Sequence, residues 1–433
     1  MLDIRLIRES PQHVETNLKK RNDPKKIDLL AKLKAFDQER LTLLKQSQEL
    51  RQKRNEMTQH VAEKKQKGEP ITELLAEVQE IPVKIKQMEE RLDVLEHECR
   101  MLLLRIPNLL HKSVPVGKDD TENVEIRRWG TRSFSFAPKD HVDLLKGLGL
   151  IDGDRAAKVA GHGFFYYKNE LVILEQAVVR FALDFLAKKG FMIVQPPFMM
   201  RREPYEGVTD VADFESVMYK IENDDLYLIA TAEHPVGAMY MNETLNAADL
   251  PLKVAGISPC FRKEVGAHGK YTRGLYRMHQ FYKVEQFIFC KPEDSWKLHE
   301  QLQKNSEALY KKLGIPFRVV NVCTGDIGSL AAKKYDTEFL MADNAYREIG
   351  SNSNCTDYQA RRLNIKYREQ EGMPPKELVH TLNNTALATS RTLVAILENH
   401  QREDGSVAVP KVLQKYTKFR ELKKRDKPVV SGS

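Results

Sequence analysis

Between Lys26 and Leu104 the apolar residues return at helical intervals. Leu29, Phe36, Leu43, Leu50 and Met57 recur every seven residues, and after the break KKQKGEP the series Leu74, Val78, Ile81, Ile85, Met88, Leu92, Leu95, Cys99, Leu102 alternates steps of four and three. Each half is therefore a helix with one apolar stripe. Gly68 and Pro70 in the break end the first helix and let the second start, and Pro82 inside the second stripe predicts a kink or a late start. Two such stripes on a short connection pair most simply as an antiparallel hairpin, whose arms of roughly 35 residues project about 50 Å.

Toward its tip the first helix carries Lys45, Arg51, Lys53, Arg54, Lys64, Lys65 and Lys67. A charge-laced coil that pairs with a second copy would look like this, and so would a basic rod that tracks a phosphate backbone. The arm alone leaves both readings open. A net charge of +8 over 433 residues leans toward a polyanionic partner, and 41% hydrophobic with 30% charged residues fits a globular protein bearing a charged accessory region.

No apolar run approaches the roughly 20 residues needed to cross a bilayer, and the start MLDIRLIRESPQHVE lacks a signal-peptide core. Cys99, Cys260, Cys290, Cys323 and Cys355 are scattered without a CxxC pair or a Cys/His cluster. These features predict a cytoplasmic protein with reduced thiols, no membrane association and no zinc. No GxxxxGK[ST] and no strand-coupled GxGxxG is present, so the common phosphate loops are absent.

The chain reads as four parts: residues 1–105 with the helical arm, a Pro-, Gly- and charge-rich connector at 106–130, a main domain at 131–425, and a flexible tail at 426–433. In the main domain Glu170 to Lys189 is strongly helical and runs into the strand FMIVQPPFMM. Strand-like runs follow at DLYLIATAE, PLKVAGISPCFRKE, LYRMHQFYKVEQFIFC and PFRVVNVCTG, with helices near Ser295 to Leu313 and Ser390 to Asn399. Strands without regular intervening helices favour a mainly antiparallel sheet and an α+β class.

The stretch FRKEVGAHGKYTRGLYRMHQF holds the chemistry. On a strand, Arg277, His279, Phe281, Lys283 and Glu285 share one face, and Arg262 and Glu264 share a face of the strand before it. Phe281 to Glu285 spans roughly 13 Å, the reach of a nucleotide laid across a sheet with a small group at its far end. Arginines would hold phosphates, Phe281 would stack on a base, Glu264 would accept from an exocyclic amine, and Glu285 would bind an ammonium or hydroxyl. An exposed, salt-bridged sheet face would show the same pattern. Three further segments favour the site: TAE at Thr231, Ala232 and Glu233; YREIGSNSNC with Glu348 and Ser351, a carboxylate and hydroxyl suited to Mg²⁺; and LNNTALATSR with Asn383, Thr385 and Arg391.

With those residues in place, the chain resembles the seryl-tRNA synthetases, class II aminoacyl-tRNA synthetases, over nearly its whole length. The matching segments include IPNLLHKSVPVGKD, NVEIRRWG, AAKVAG, TAEHP, FRKE, HQFYKVEQF, CTGD, NCTDYQARRLNI and TLNNTALATSRTLVAILENHQ. Motif 1 resembles the helix running into FMIVQPPF with Pro197, motif 2 is FRKE, its loop and Arg277 through Phe281, and motif 3 ends on Arg391. The resemblance implies an antiparallel catalytic sheet of six to seven strands and a homodimer built partly on motif 1. It also implies a hairpin arm that grips serine tRNA by its long variable arm.

By the same resemblance the reaction is ATP-dependent activation of L-serine to seryl-adenylate and transfer to the 3′ end of serine tRNA, with selenocysteine tRNA a second candidate. Arg262 would contact the α-phosphate, Glu264 the adenine amine and Phe281 the base; Arg277 and Arg391 would fix the outer phosphates of ATP. Lys263, Met278, Ile349 and Gly350 complete the expected ATP site, and Glu348 with Ser351 would support Mg²⁺. Thr231, Ala232, Glu233, Arg262, Glu285, Asn383 and Thr385 would surround serine. Lys45, Arg51, Lys53, Arg54, Lys64 and Lys65 would contact tRNA. Two segments depart from the family pattern: GVTDVADF at Gly207 to Phe214, and GHGFFYY at Gly161 to Tyr167, with glycine where an arginine is common. A paralogue that loads a carrier protein would lack the arm, and a non-catalytic tRNA-binding protein would have lost Arg262, Arg277, Arg391 or Glu348.

Overall fold

The computed structural model describes residues 1–210, 217–264 and 274–424, less the side chain of Leu75. The tail, the motif 2 loop and part of the segment Gly207 to Phe214 lie outside the described residues. The chain forms two compact units, Met1–Pro107 and Asn108–Ser433.

In the first unit, helices Ile4–Glu9 (α1) and Pro11–Lys19 (α2) precede the long helices Pro24–Gln66 (α3) and Thr72–Arg105 (α4). Asp23 caps α3 by accepting from the N–H of Lys25, and Pro24 sits in the first turn, where its missing N–H costs nothing. The helix α4 runs from Thr72 through Pro82, so the late start does not occur. The two long helices are antiparallel: Glu39 pairs with Arg91, Arg51 with Glu89 and Lys53 with Glu77, so numbers rise on one as they fall on the other.

The stripe on α4 is buried at Ile81, Ile85, Leu92, Leu95, Cys99 and Leu102. On α3 only Met57 of the heptad series is buried, while Leu29, Phe36, Leu43 and Leu50 are half-buried. The rest of that seam is made by Leu30, Leu33, Asp37 and Ser47. Asp37 accepts two hydrogen bonds from the Arg8 guanidinium, at 2.6 and 2.8 Å, and pairs with Arg40. Burial pushes its carboxyl up, and the two arginines outweigh that and hold it below the usual range.

The second unit is an eight-stranded sheet. Its strands are Val124–Trp129 (β1), Met192–Val194 (β2), Leu252–Phe261 (β3), Gln280–Cys290 (β4), Phe317–Asn321 (β5), Lys333–Leu340 (β6), Tyr346–Thr356 (β7) and His380–Ala388 (β8). They lie in the order β1-β5-β6-β7-β8-β4-β3-β2. Every neighbouring pair is antiparallel except β2 with β3, which is parallel. The sheet has one or two strands more than the expected six to seven, and its edge strand β1 was not expected.

One edge strand comes from the expected connector. Within 108–130, the Asn108 N–H donates to the Ser329 carbonyl at 2.8 Å, its side-chain amide donates to the carbonyls of Leu330 and Cys355, and β1 pairs with β5. These residues belong to the second unit, whose boundary is Asn108 rather than 131.

Helices Glu170–Ala187 (α5), Glu233–Gly237 (α6), Ser295–Leu313 (α7) and Thr389–Asn399 (α8) surround the sheet. The core joins Leu171, Leu174 and Val178 of α5 with Val284 and Ile288 of β4 and Leu393 and Ile396 of α8. The helix α7 is fastened by amides. Asn384 donates to the Leu302 carbonyl at 2.8 Å, Asn305 to Gln286 at 2.9 Å, and Asn352 to the His299 carbonyl at 3.0 Å. Buried polar groups that find partners in this way hold a sheet and helix in one register.

Candidate active site

The strand β4 lies between β3 and β8, with Glu285 opposite Gly256 on one side and Thr385 on the other. Phe281, Lys283 and Glu285 alternate onto one face of it. The expected strand was longer. The observed one starts at Gln280, after a short 3₁₀ turn at Gly274–Tyr276, so Arg277 and His279 approach from the turn. The strand β3 likewise ends at Phe261, and Glu264 beyond it takes the left-handed φ of 48°.

His279 shapes these ends. Its backbone carbonyl accepts from the Arg262 N–H at 3.0 Å, its Nδ1 lies 2.8 Å from the Arg262 carbonyl, and its ring stacks on Phe164 at 5.0 Å. Gly163 occupies the departure from the family pattern. At its φ of 83°, an added Cβ would lie 2.5 Å from the His279 ring, so glycine alone fits.

Strand parity therefore fails at both ends, yet the side chains converge. Arg262, Glu264, Arg277, Met278, Phe281, Glu348, Ile349, Gly350, Thr385 and Arg391 line one open cleft of about 420 Å³. Arg262 lies over the Phe281 ring at 5.4 Å and donates to the Ala230 carbonyl at 3.3 Å. Arg391 donates to the Glu348 carbonyl at 3.0 Å and pairs with its carboxylate at 3.3 Å. Arg277 and Glu264 form an ion pair with each other.

Deeper in, Oε1 of Glu285 accepts from Thr231 at 2.9 Å and from Thr385 at 3.2 Å, and pairs with Lys283. Thr385 and Lys283 also face the cleft, so the two clusters adjoin. Gly256, opposite Glu285, allows close packing of β3 on α6, since a Cβ there would lie 3.0 Å from Ala232 and Val236. Ala232 is buried against Gly256 and does not line the cleft. Asn383 is buried with its amide 4.0 Å from the Cys355 sulfur, and the Lys263 N–H donates to the Val217 carbonyl at 3.0 Å. Neither lines the cleft, and neither does Ser351.

The carboxylates differ in state. Burial works against ionisation of Glu348, but its side chain is 43% exposed to the cleft, and Arg391, then Lys334 and Arg262, hold it down at about 2. Glu233 is pushed up to about 7, first by burial and then by Glu285, with Lys283 and Arg262 pulling the other way. Ser351 donates to Oε1 of Glu348 at 3.2 Å. An anionic carboxylate beside a hydroxyl suits Mg²⁺, which takes few protein oxygens and completes its shell with phosphate and water. Among the described residues no group of three or more His, Cys, Asp or Glu side chains could hold a metal.

Tyr276, Lys283, Ala388 and Ser390 also line the cleft and carried no expected role. The Tyr276 hydroxyl donates to the Glu348 carbonyl at 3.0 Å, and its ring lies 4.8 Å from Arg391, so it braces that arginine. No sequence spacing marks it. Lys283 stood in the period-two series with Phe281 and Glu285 and was legible there.

Residues 1–110 match the seryl-tRNA synthetase N-terminal domain, and residues 216–400 the tRNA synthetase class II core domain (G, H, P, S and T). The serine--tRNA ligase of Methanocella arvoryzae is 54% identical over 96% of this chain and 98% of its own length. Among solved structures, seryl-tRNA synthetase from Pyrococcus horikoshii complexed with ATP superposes with a TM-score of 0.95 at 49% identity, covering 98% of this chain and 100% of that one. The cytoplasmic serine-tRNA ligase from Naegleria fowleri in complex with AMP gives 0.89 at 34% identity, covering 98% and 99%.

Proposed function

The chain belongs to the seryl-tRNA synthetase family, and we propose from that premise that it activates L-serine with ATP and loads it onto serine tRNA. Convergence of Arg262, Glu264, Arg277, Phe281, Glu348 and Arg391 on one cleft carries the reading. Phe281 offers a ring face to adenine with Arg262 alongside it, where the α-phosphate would lie. Arg277 and Arg391 bind the outer phosphates, and Glu264 exchanges Arg277 for the adenine amine. Mg²⁺ on Glu348 and Ser351 would add positive charge beside the phosphates. The attacking serine carboxylate is ionised near neutral pH, so the first step needs no general base. Positioning and opposed charge supply the catalysis.

Selection of serine rests on Glu285, Thr231 and Thr385. Alanine or glycine would leave those buried polar groups unmatched, a discrimination that can reach several orders of magnitude, whereas threonine is refused only for want of room. Val172 and Ile173 of α5 and Met192 and Ile193 of β2 are between 40% and 46% exposed, an apolar patch suited to the family's homodimer. The arm binds the long variable arm of tRNA through Lys45, Arg51, Lys53, Arg54, Lys64 and Lys65. A carrier-protein ligase is disfavoured by the N-terminal domain match, and a non-catalytic binder by the intact cleft.

Pyrophosphate exchange across amino acids, followed by charging of tRNA with and without its variable arm, tests this. Exchange specific to serine and charging that falls when the arm is removed are expected. Equal charging of both RNAs would refute the role of the helical arm, and absence of serine-dependent exchange would refute the activity. Selenocysteine tRNA is a third substrate for the same assay.

A further inference from the structure

Lys283 is an unusual residue to find on β4. Its side chain is 9% exposed and its ammonium rests on Glu285, which is 2% exposed. Residues two apart on a strand share a face, and the neighbours opposite are small: Ser258 on β3 and Ala388 on β8 face Lys283, and Gly256 faces Glu285. The sheet thus leaves a channel in which the lysine folds along its own strand. A buried cation is tolerated only with a partner, and removing one member of such a pair strands the other.

Three contacts converge on Glu285, from Thr231, Thr385 and Lys283, and all three use Oε1. None of them engages Oε2. We propose that Lys283 is a positioning residue that locks Oε1 of Glu285 and so presents Oε2 to the hydroxyl or ammonium of serine. This rests on the assignment of the cleft to seryl-adenylate formation.

The surrounding charges point the same way. Glu233 and His234 on α6, Cys260 on β3 and Tyr310 on α7 each interact electrostatically with one or both members of the pair, while Arg262, just beyond β3, acts on Glu233, His234 and Cys260, and Cys355 on β7 lies within reach of Glu233. Of these only Arg262 is a second cation, because burial holds His234 down at about 3. Without Lys283, Glu285 and Glu233 would oppose each other with Arg262 the one cation left acting on Glu233, and the Glu233 carboxyl would rise further. A serine ammonium would then meet a pocket that has taken up a proton.

The full-length protein carrying Lys283→Met tests this by pyrophosphate exchange. KM for serine should rise about 100-fold or more, the scale of a broken buried pair, while KM for ATP stays within about 3-fold. The midpoint of the pH profile of kcat/KM for serine should move up. In a Glu285→Gln background, Lys283→Met should add less than about 3-fold, because the pair is already gone. Lys283→Arg keeps the cation and serves if the methionine variant does not fold; it should hold the midpoint and keep KM within about 10-fold. Equal changes in both KM values, a fixed midpoint with Lys283→Met, full additivity, or a loss with Lys283→Arg as large as with Lys283→Met would each overturn the inference. A native protein without serine-dependent exchange would instead sink the functional reading beneath it.

Discussion

On the helical arm, Arg51 pairs with Glu89 and Lys53 with Glu77, with about half of each side chain in solvent; in the cleft, Lys283 and Glu285 meet at 9% and 2% exposure. The chemistry is the same and the consequences are opposite. An exposed pair contributes about 0–1 kcal/mol and is screened by salt, whereas stranding one member of a buried pair costs about 3–5 kcal/mol. The arm's ion pairs are therefore exchangeable for phosphate at little cost, and those of the pocket act as fixed geometry. Arg277 with Glu264 lies between these limits, at 37% and 17% exposure.

The largest expected effect breaks the buried end of this scale. Glu285→Ala removes the acceptor of two hydroxyls and the partner of Lys283. Serine-dependent pyrophosphate exchange should fall by about 1,000-fold or more, while ATP binding, measured separately, survives. Unchanged exchange would remove Glu285 from serine recognition. Next in size is Glu264→Ala, at the intermediate pair. If Glu264 holds the adenine amine as proposed, loss of that charge-assisted hydrogen bond, about 1.5–3 kcal/mol, should raise KM for ATP by about 10–100-fold and leave KM for serine alone. Release of Arg277 from its partner works against this loss, so a KM for ATP that fell would show the pair to be a barrier to binding.

Glu233 makes the pocket sensitive to pH. Its folded-state pKa, at about 7, stands above the usual glutamate value, so the native chain binds more protons than the unfolded chain between roughly pH 4.5 and 7. Its contribution to stability therefore falls as pH rises through that window and is constant above it. Serine binding runs the other way, because a cationic ammonium favours the ionised carboxyl. KM for serine should fall as pH rises from 6 to 8, by no more than about 10-fold per unit, and Glu233→Gln should flatten the profile. Glu348, held at about 2, keeps its charge throughout and cannot supply that dependence.

The arm and the cleft also differ in how much of each was legible from residues alone. Period-seven spacing located both long helices, since a stripe must face a partner, but it did not foretell Asp37 in the seam, whose burial depends on Arg8 from a separate helix. In the cleft, period two placed Phe281 and Glu285 on one face, and Lys283 with them. It misplaced Arg277 and Glu264, because the strands stop where His279 ties their ends together. The strands β7 and β8 escaped notice as strands because several of their buried positions are amides, Asn352, Asn354, Asn383 and Asn384, of which Asn352 and Asn384 donate to carbonyls of α7. Alternation of apolar and polar residues cannot reveal a strand whose inward side chains are amides.

The smallest predicted change falls at the exposed end, and there the direction matters more than the size. Arg51 is held by Glu89, and Lys53 by Glu77, before any RNA arrives, whereas Lys65 has no ion pair among the described residues. Glu89→Gln should alter unfolding stability by less than about 1 kcal/mol. Because it frees a guanidinium that otherwise must leave a carboxylate to reach phosphate, affinity for serine tRNA should rise a few-fold at low salt, with pyrophosphate exchange unchanged. Arg51→Ala should weaken binding and reduce the slope of log affinity against log salt by about one contact. A loss of RNA affinity with Glu89→Gln would mean that the cross-helix pair holds the arm in a required shape, and that the exposed pairs, like the buried ones, are structural.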